Sequence, residues 1–346
     1  MKAIVYHNYG SPDVLQYEEI EKPAPEDSEV LIRVHAASVN PLDRGELKGV
    51  PYIFRIVFGL RKPKATRPGR LGVDVAGQVE AVGRNVTYFK PGDEVFGVCI
   101  SNPQASSVKV WVHHQGTFAE YACVPESTLV LKPNNVTFEQ AASVPVAALT
   151  ALQGLRDKGK IQPGHTVSIN GAAGGVGTFA VQIAKSFGAN VTGVCSTRNL
   201  EMVRSIGADR VIDYTQADFI KSGKRYDILF DCVGNYSLSA CRRVLNPKGI
   251  CIMIGAPSDA QIIGLLARLI GALILSPFLR QKMIPILARS NKADLTTVGE
   301  LMATGKVAPV IDRRYKLSEV PEALKYLKDG HARGKVVITL ESDNIG

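Results

Sequence analysis

Residues 166–177 read Thr-Val-Ser-Ile-Asn-Gly-Ala-Ala-Gly-Gly-Val-Gly. The run Thr166–Asn170 is a strand candidate, short, apolar and bounded by glycine. Beyond it Val176, Ala180, Ile183 and Phe187 recur at helical spacing, and Gly188 closes that helix. A strand, a turn rich in glycine and a helix, in this order, open a dinucleotide-binding unit. Residues without bulky side chains let the backbone turn tightly and approach a pyrophosphate. The helix N-terminus then offers unpaired N–H groups and a partial positive charge to the anion. Ala172, Ala173, Gly174, Gly175, Val176 and Gly177 are therefore candidate cofactor contacts, with Gly177 permitting close helix–strand packing. Ala172 stands where G-x-G-x-x-G has its first glycine, so the bare motif is imperfect.

Working outward, strands and helices alternate. Val191–Cys195 is the next strand, Leu200–Ile206 a helix ended by Gly207, and Val211–Asp213 and Asp227–Cys232 are strands. A helix over Ser237–Leu245 precedes the strand Gly249–Ile254. This alternation predicts a doubly wound parallel sheet covered on both faces, an α/β class. Upstream, Phe138–Leu155 is rich in alanine at helical spacing. The first ~125 residues instead show short β-like runs, Val30–Val34, Val75–Val82, Glu94–Val98 and Phe118–Val124, punctuated by Gly, Pro, Asn and Asp. Gly49–Pro68 lacks a clean period and reads as a loop with a short helix.

The end of the second strand of such a unit sets the choice of dinucleotide. Here it reads Cys195-Ser196-Thr197-Arg198-Asn199, with no carboxylate before Glu201. A carboxylate would repel a 2′-phosphate, whereas Ser196 can donate to one and Arg198 can pair with it. NADP(H) is expected over NAD(H).

The chain's 346 residues suit two domains, and its 45% hydrophobic and 21% charged content is that of a globular protein. The net charge of +9 permits nucleic acid or anionic ligands. Its basic residues are scattered, however. The densest run, Arg55–Arg70, is interleaved with Pro and Gly and reads as a solvated loop; with no basic patch interleaved with aromatics, no nucleic-acid partner is expected. Cys99, Cys123, Cys195, Cys232, Cys241 and Cys251 form no C-x-x-C pair and read as reduced thiols of a cytoplasmic protein. The first residues start as an alternating strand and lack the apolar core of a signal peptide. Residues 262–279 are strongly apolar, but Arg268, Gly264, Gly271 and Pro277 interrupt them. No membrane span is expected there, and a buried helix and strand or an oligomer interface fits better.

A glycine series runs through the β-rich half: Gly72, Asp74, Gly77, Gly83, Gly92-Asp93 and Gly97. With Asn40-Pro41-Leu42-Asp43 and Ala172–Gly177, it resembles the medium-chain dehydrogenase/reductase superfamily, and within it the zeta-crystallin-like quinone oxidoreductases. The likeness spans essentially the whole chain. It implies a GroES-like catalytic domain, residues 1–127 and 290–346, and a Rossmann domain for NADP, residues 128–289. It also implies a homodimer.

Zinc alcohol dehydrogenases of that superfamily use Cys, then His-Glu, then a further ligand. Here those positions read Asn40, Gly72-Val73-Asp74 and Pro145-Val146. A zinc site needs converging N, S or O ligands, and the adjacent His113-His114 would point to opposite faces of a strand. Without a metal, hydride transfer to a quinone or an α,β-unsaturated carbonyl is the suitable chemistry, because the acceptor spreads the arriving charge itself. The resemblance carries a position beside the nicotinamide to Asn40, with Asp43 behind it, and a cofactor contact to Thr150. It carries further cofactor contacts to Tyr214, Val233-Gly234, Ile254-Gly255 and Gly334-Lys335. Tyr52, one residue off the family spacing, is the candidate proton donor, and water is the alternative. An enoyl-thioester reductase, a zinc alcohol dehydrogenase and a non-catalytic NADPH-binding protein are the competing readings.

Overall fold

A computed structural model describes residues 1–49, 69–100, 116–254, 280–330 and 332–340. The described strands are β1 (Lys2–Tyr6), β2 (Gln16–Glu19), β3 (Glu29–Val39), β4 (Gly69–Arg70), β5 (Asp74–Val82), β6 (Glu94–Val98), β7 (Tyr121–Pro125) and β8 (Leu129–Leu131). They continue as β9 (Thr166–Asn170), β10 (Asn190–Cys195), β11 (Arg210–Asp213), β12 (Tyr226–Asp231), β13 (Leu245–Met253), β14 (Lys282–Pro285), β15 (Ile311–Lys316) and β16 (Lys335–Thr339). The chain divides into two compact units. One holds Met1–Val146, Ser290–Ala303 and Ile311–Gly346; the other holds Ala147–Arg289 and Thr304–Val310.

In the first unit β3 is the organising strand. Most of its side chains are buried, and Val30, Ile32 and Val34 pack with Val75, Val79 and Val95. It pairs antiparallel with β5 on one side and with β7 and then β16 on the other. Two register shifts against β5, between Leu31 and Ile32 and between Val34 and Ala36, mark bulges, which bend a strand locally. β3 ends at Val39, where Asn40 and Pro41 start the helix Pro41–Lys48. Pro41 lacks an N–H that this first turn could not use, and Gly49 stops the helix at φ 59°.

Residues 128–146, which the sequence reading groups with the second domain, cluster with the first unit. There β8 pairs with β6, and the short helix Phe138–Ala142 packs on β3 and β5. The helical pattern over Phe138–Leu155 is not one helix. A second helix, Pro145–Gln153, begins at Pro145, whose ring denies the preceding turn its hydrogen bond.

The second unit is built on a six-stranded sheet in the order β11-β10-β9-β12-β13-β14, every pairing parallel. β9 lies centrally and the chain winds outward in both directions from it, a doubly wound Rossmann-type arrangement. The reversal falls between β9 and β12, and ligands of such sheets bind beyond the carboxyl ends of the strands at that point. The expected helix Ser237–Leu245 ends earlier, at Arg243, because Leu245 already belongs to β13.

Candidate functional site

In the second unit backbone hydrogen bonds hold the turn after β9 against β10. Gly171 adopts φ 82°, and both its N–H and that of Ala172 donate to the Val194 carbonyl, at 3.1 and 3.0 Å. A Cβ on Gly171 would lie 2.8 Å from a methyl of Val233. Gly174 caps the helix Gly175–Ser186 with extended backbone and no side-chain hydrogen bond. That leaves the first-turn N–H groups without a side-chain cap. Ala172 in place of glycine has a structural reason. Its methyl is fully buried against Gly193 of β10, where a Cβ would approach it to 3.1 Å. The missing side chain at Gly193 makes room for the extra methyl at Ala172.

The end of β12 closes the same turn from the other side. One oxygen of buried Asp231 accepts from Asn170 Nδ2 at 2.9 Å and from the N–H groups of Val233 and Gly234 at 3.2 and 2.9 Å. Asn170 Nδ2 also donates to Asn235 Oδ1 at 3.0 Å. Asn170 and Asp231 thus clip the two central strand ends together. The sequence gives no sign of this clip, since these residues lie sixty-one positions apart.

At the end of β10, Ser196 Oγ accepts from Asn199 Nδ2 at 3.1 Å, which leaves its own proton to donate. Arg198 is exposed, as is Tyr214, whose N–H donates to the Cys195 carbonyl at 3.0 Å. The sequence reading found no carboxylate here, yet the parallel register pairs Asp213 with Cys195. Asp213 accepts from the hydroxyl of Thr197 at 2.6 Å and from that of Thr215 at 2.7 Å. These hydroxyls, Thr197 first, hold its carboxyl below the ordinary aspartate range. Only the sheet register reveals this neighbour.

Val233 and Gly234 follow β12, and Ile254 follows β13, its N–H on the Asp231 carbonyl at 3.0 Å. The candidate contacts 172–177, Ser196, Arg198, Tyr214, Val233, Gly234 and Ile254 therefore gather at the carboxyl ends of parallel strands. Thr150 lies on the helix Pro145–Gln153 in the same unit, nearly buried. Gly255 and Tyr52 lie outside the described residues.

In the first unit, strand register assembles a second group. β3 and β5 set Ser38 beside Asp74, while β3 and β16 set Val39 beside Val336. Extending that antiparallel register by one residue places Lys335 opposite Asn40. Lys335 Nζ lies 2.7 Å from Asn40 Oδ1 and 3.3 Å from Asp74 Oδ2. Asp43 takes the Asn40 N–H at 2.7 Å and the Gly72 N–H at 3.1 Å. Burial raises the Asp43 carboxyl to about 7; those two N–H groups and Lys335 oppose the rise, and the nearby Asp74 carboxylate adds to it. Asp74, known from the sequence only as a motif position, is the acceptor on which this group converges.

Comparison with known proteins gives a consistent result. A family model described as an alcohol dehydrogenase GroES-like domain matches residues 26–134, and one described as a zinc-binding dehydrogenase matches residues 206–338. The mitochondrial NAD(P)H oxidoreductase RTN4IP1 of Bos taurus is 34% identical over 370 residues, covering 98% of this chain and 89% of that protein. The chloroplastic NADPH-dependent alkenal/one oxidoreductase of Arabidopsis thaliana is 36% identical, covering 98% of this chain and 79% of its own length. Among solved structures, the quinone oxidoreductase from Coxiella burnetii superposes with a TM-score of 0.82 at 29% identity, over 99% of each chain.

Proposed function

We propose, for a chain that belongs to the medium-chain dehydrogenase/reductase superfamily and within it to the quinone oxidoreductase group, an NADPH-dependent reductase of quinones or α,β-unsaturated carbonyls that works without zinc. The observation that carries this reading is the turn Gly171–Gly177. It presents a helix N-terminus without a side-chain cap at the switch point of an all-parallel sheet. A Cβ at Gly174 would meet only the Gly171 carbonyl, at 3.4 Å, so the surface over this backbone is open to a phosphate. Ser196 with its proton to donate and Arg198 suit a 2′-phosphate, and two threonine hydroxyls engage the Asp213 carboxylate nearby. When bound, NADPH supplies the hydride. The chain's residues hold the pyrophosphate at 172–177 and the adenosine phosphate at Ser196, Arg198 and Tyr214. Thr150, Val233, Gly234 and Ile254, with Gly255, complete the dinucleotide contacts. Asn40, with Gly334 and Lys335, serves the nicotinamide end, and Asp43 holds the Asn40 backbone.

The family's zinc does not fit the residues present. Asn40 Oδ1 already accepts from the Lys335 ammonium at 2.7 Å, and an ammonium beside a metal ion would repel it. Val73 is apolar and fully buried, and Val146 offers a backbone N–H, donated to Asp74 Oδ1 at 2.9 Å. Among the described residues, no group of three or more His, Cys, Asp or Glu side chains gathers to hold a metal ion. The proton that completes reduction comes in this reading from Tyr52 or from water.

A cytoplasmic location and a homodimer belong to the same reading. The free, buried cysteines Cys99, Cys123 and Cys195 suit a reducing compartment, although the relatives named above are mitochondrial and chloroplastic. No helix among the described residues is long and apolar enough to cross a membrane.

Purified protein assayed with NADPH and with NADH against a quinone and an enone, beside elemental analysis for zinc, tests the proposal. Turnover with NADPH, unaffected by chelators and without stoichiometric zinc, is the expected result. NADPH binding without turnover of either acceptor class would overturn the reductase reading, and stoichiometric zinc would overturn the metal-free one.

A further inference from the structure

Asp74, Lys335 and Asn40 form a closed pattern of donors and acceptors. Asp74 Oδ2 takes the Ser38 hydroxyl at 2.7 Å, Asn40 Nδ2 at 2.9 Å and Lys335 Nζ at 3.3 Å. Asn40 Nδ2 also donates to the Ser38 carbonyl at 3.3 Å, so both of its protons are engaged. The Lys335 ammonium makes its shorter contact with Asn40 Oδ1, at 2.7 Å. All three side chains are almost wholly buried, at 0, 3 and 3% exposure for Asp74, Asn40 and Lys335.

Turning the Asn40 amide over would set its NH2 against the ammonium and its oxygen against the carboxylate. Both contacts would be repulsive in a buried site, where unpaired polar groups are most costly. The two charges therefore fix which way the amide faces. Among the described residues, an amide so fixed has one capacity left, the second lone pair of Oδ1.

We propose that Lys335 and Asp74 are positioning residues that lock the Asn40 amide with a carbonyl lone pair as its only open valence. Asn40 then accepts a hydrogen bond from a donor on the bound ligand and gives no proton to the oxygen of the electron acceptor. Only the identity of the ligand, a nicotinamide dinucleotide, rests on the reductase reading.

The test compares wild type with Lys335→Met, Lys335→Arg and the double variant Lys335→Met/Asp74→Asn. Three quantities are read: Tm, NADPH affinity with turnover, and the side-chain amide pair of Asn40 in a 15N–1H spectrum, assigned by its loss in Asn40→Ala. Wild type should give an Asn40 amide pair whose protons exchange slowly with solvent. A rapidly exchanging pair overturns the proposal whatever the variants do. Lys335→Met leaves a buried carboxylate without its cation and should lose stability. The double variant carries neither charge. It should recover Tm, yet its Asn40 amide should exchange rapidly and its NADPH turnover should stay at least tenfold below wild type. Lys335→Arg, which keeps the cation, should recover part of the turnover. If the double variant regains Tm, turnover and protected amide protons together, the pair is structural only and the proposal fails. If wild type binds NADPH but reduces neither acceptor, the reductase reading falls, while the amide signals and NADPH affinity still decide the positioning role.

Discussion

Adding one methyl group at Gly177 tests the phosphate turn most directly. A Cβ there lies 2.0 Å from the Gly171 carbonyl oxygen and 2.9 Å from Ala172 Cα, whereas ordinary contact begins at 3.4 Å. Both neighbours are backbone, so no flexible side chain can give way. The helix Gly175–Ser186 and the turn after β9 must separate, by about 1.4 Å on the oxygen side, to restore ordinary contact. Overpacking of this kind costs roughly 1–3 kcal/mol, and the rigid neighbours put Gly177→Ala near the upper end. For a unit of this size that is a fall in Tm of roughly 6–12 °C. Separation also withdraws first-turn N–H groups from the phosphate. Losing one charge-assisted hydrogen bond, about 1.5–3 kcal/mol, weakens NADPH by roughly ten- to a hundredfold. Gly174→Ala is the internal control. Its Cβ meets only the Gly171 carbonyl at 3.4 Å and its φ of −83° suits any residue. Its Tm should equal or slightly exceed that of wild type, since alanine restricts the unfolded chain. NADPH should still bind less tightly, because the methyl stands over the backbone the phosphate must approach. Calorimetry and NADPH fluorescence titration read both effects. A Gly177→Ala protein with wild-type Tm and affinity would refute the reasoning.

Three further outcomes follow from the same geometry. Arg198→Ala should weaken NADPH more than NADH by about 1.5–3 kcal/mol if a charged contact to the 2′-phosphate is lost; equal losses in parallel titrations would remove Arg198 from that role. Asp231→Ala leaves Asn170 Nδ2 and the N–H groups of Val233 and Gly234 without their shared acceptor oxygen. Denaturant unfolding should show a loss of roughly 3 kcal/mol or more, and a loss under 1 kcal/mol would contradict the clip. Burial raises the Asp43 carboxyl to about 7 from an ordinary 3.8, so the folded state holds a proton that the unfolded chain releases first. The stability this confers is complete below about pH 4. It declines by about 1.4 kcal/mol per pH unit as pH rises toward 7, where the decline stops. Asp43→Asn should flatten that slope in urea melts at pH 5, 6 and 7; an unchanged slope would assign it to another group, such as the half-buried Glu46, whose carboxyl is also raised.

What the sequence disclosed and withheld follows from how far apart the interacting residues lie. The phosphate turn is local: its glycines, the strand before it and the helix after it fall within Thr166–Ser186. Asn40, Pro41 and Asp43 are equally local, but the resemblance alone marks Asn40 and Asp43, and the helix that Asn40 caps is not foreseen. Ala172 looked like an imperfection until the sheet brought Gly193 against it. Asp213 was invisible beside Ser196 because only the parallel pairing of β10 and β11 aligns it with Cys195. Resemblance marks Lys335 as a cofactor contact; that its ammonium also faces Asn40 and Asp74 follows from pairing β3 with both β5 and β16, which no local pattern shows. Local periodicity also overreached at Phe138–Leu155, where alanine spacing continued through a proline that starts a new helix.

The pairing of β16 with β3 also has a consequence for how the molecule is made. Val336 and Val39 are register partners although almost the whole chain separates them. A ribosome extends the chain from the N-terminus, and domains fold as units when their residues have emerged. β3 must therefore wait, one flank incomplete, while the whole sheet from β9 to β14 is synthesised. The Rossmann-type unit can close on its own strands during that interval. The Asn40 cluster cannot, because Lys335 arrives with β16. A nascent chain thus acquires its dinucleotide fold before its buried charge pair. During that interval the edge of β3 over Ala36–Val39, which β16 will later cover, stays unpaired and open to mispairing.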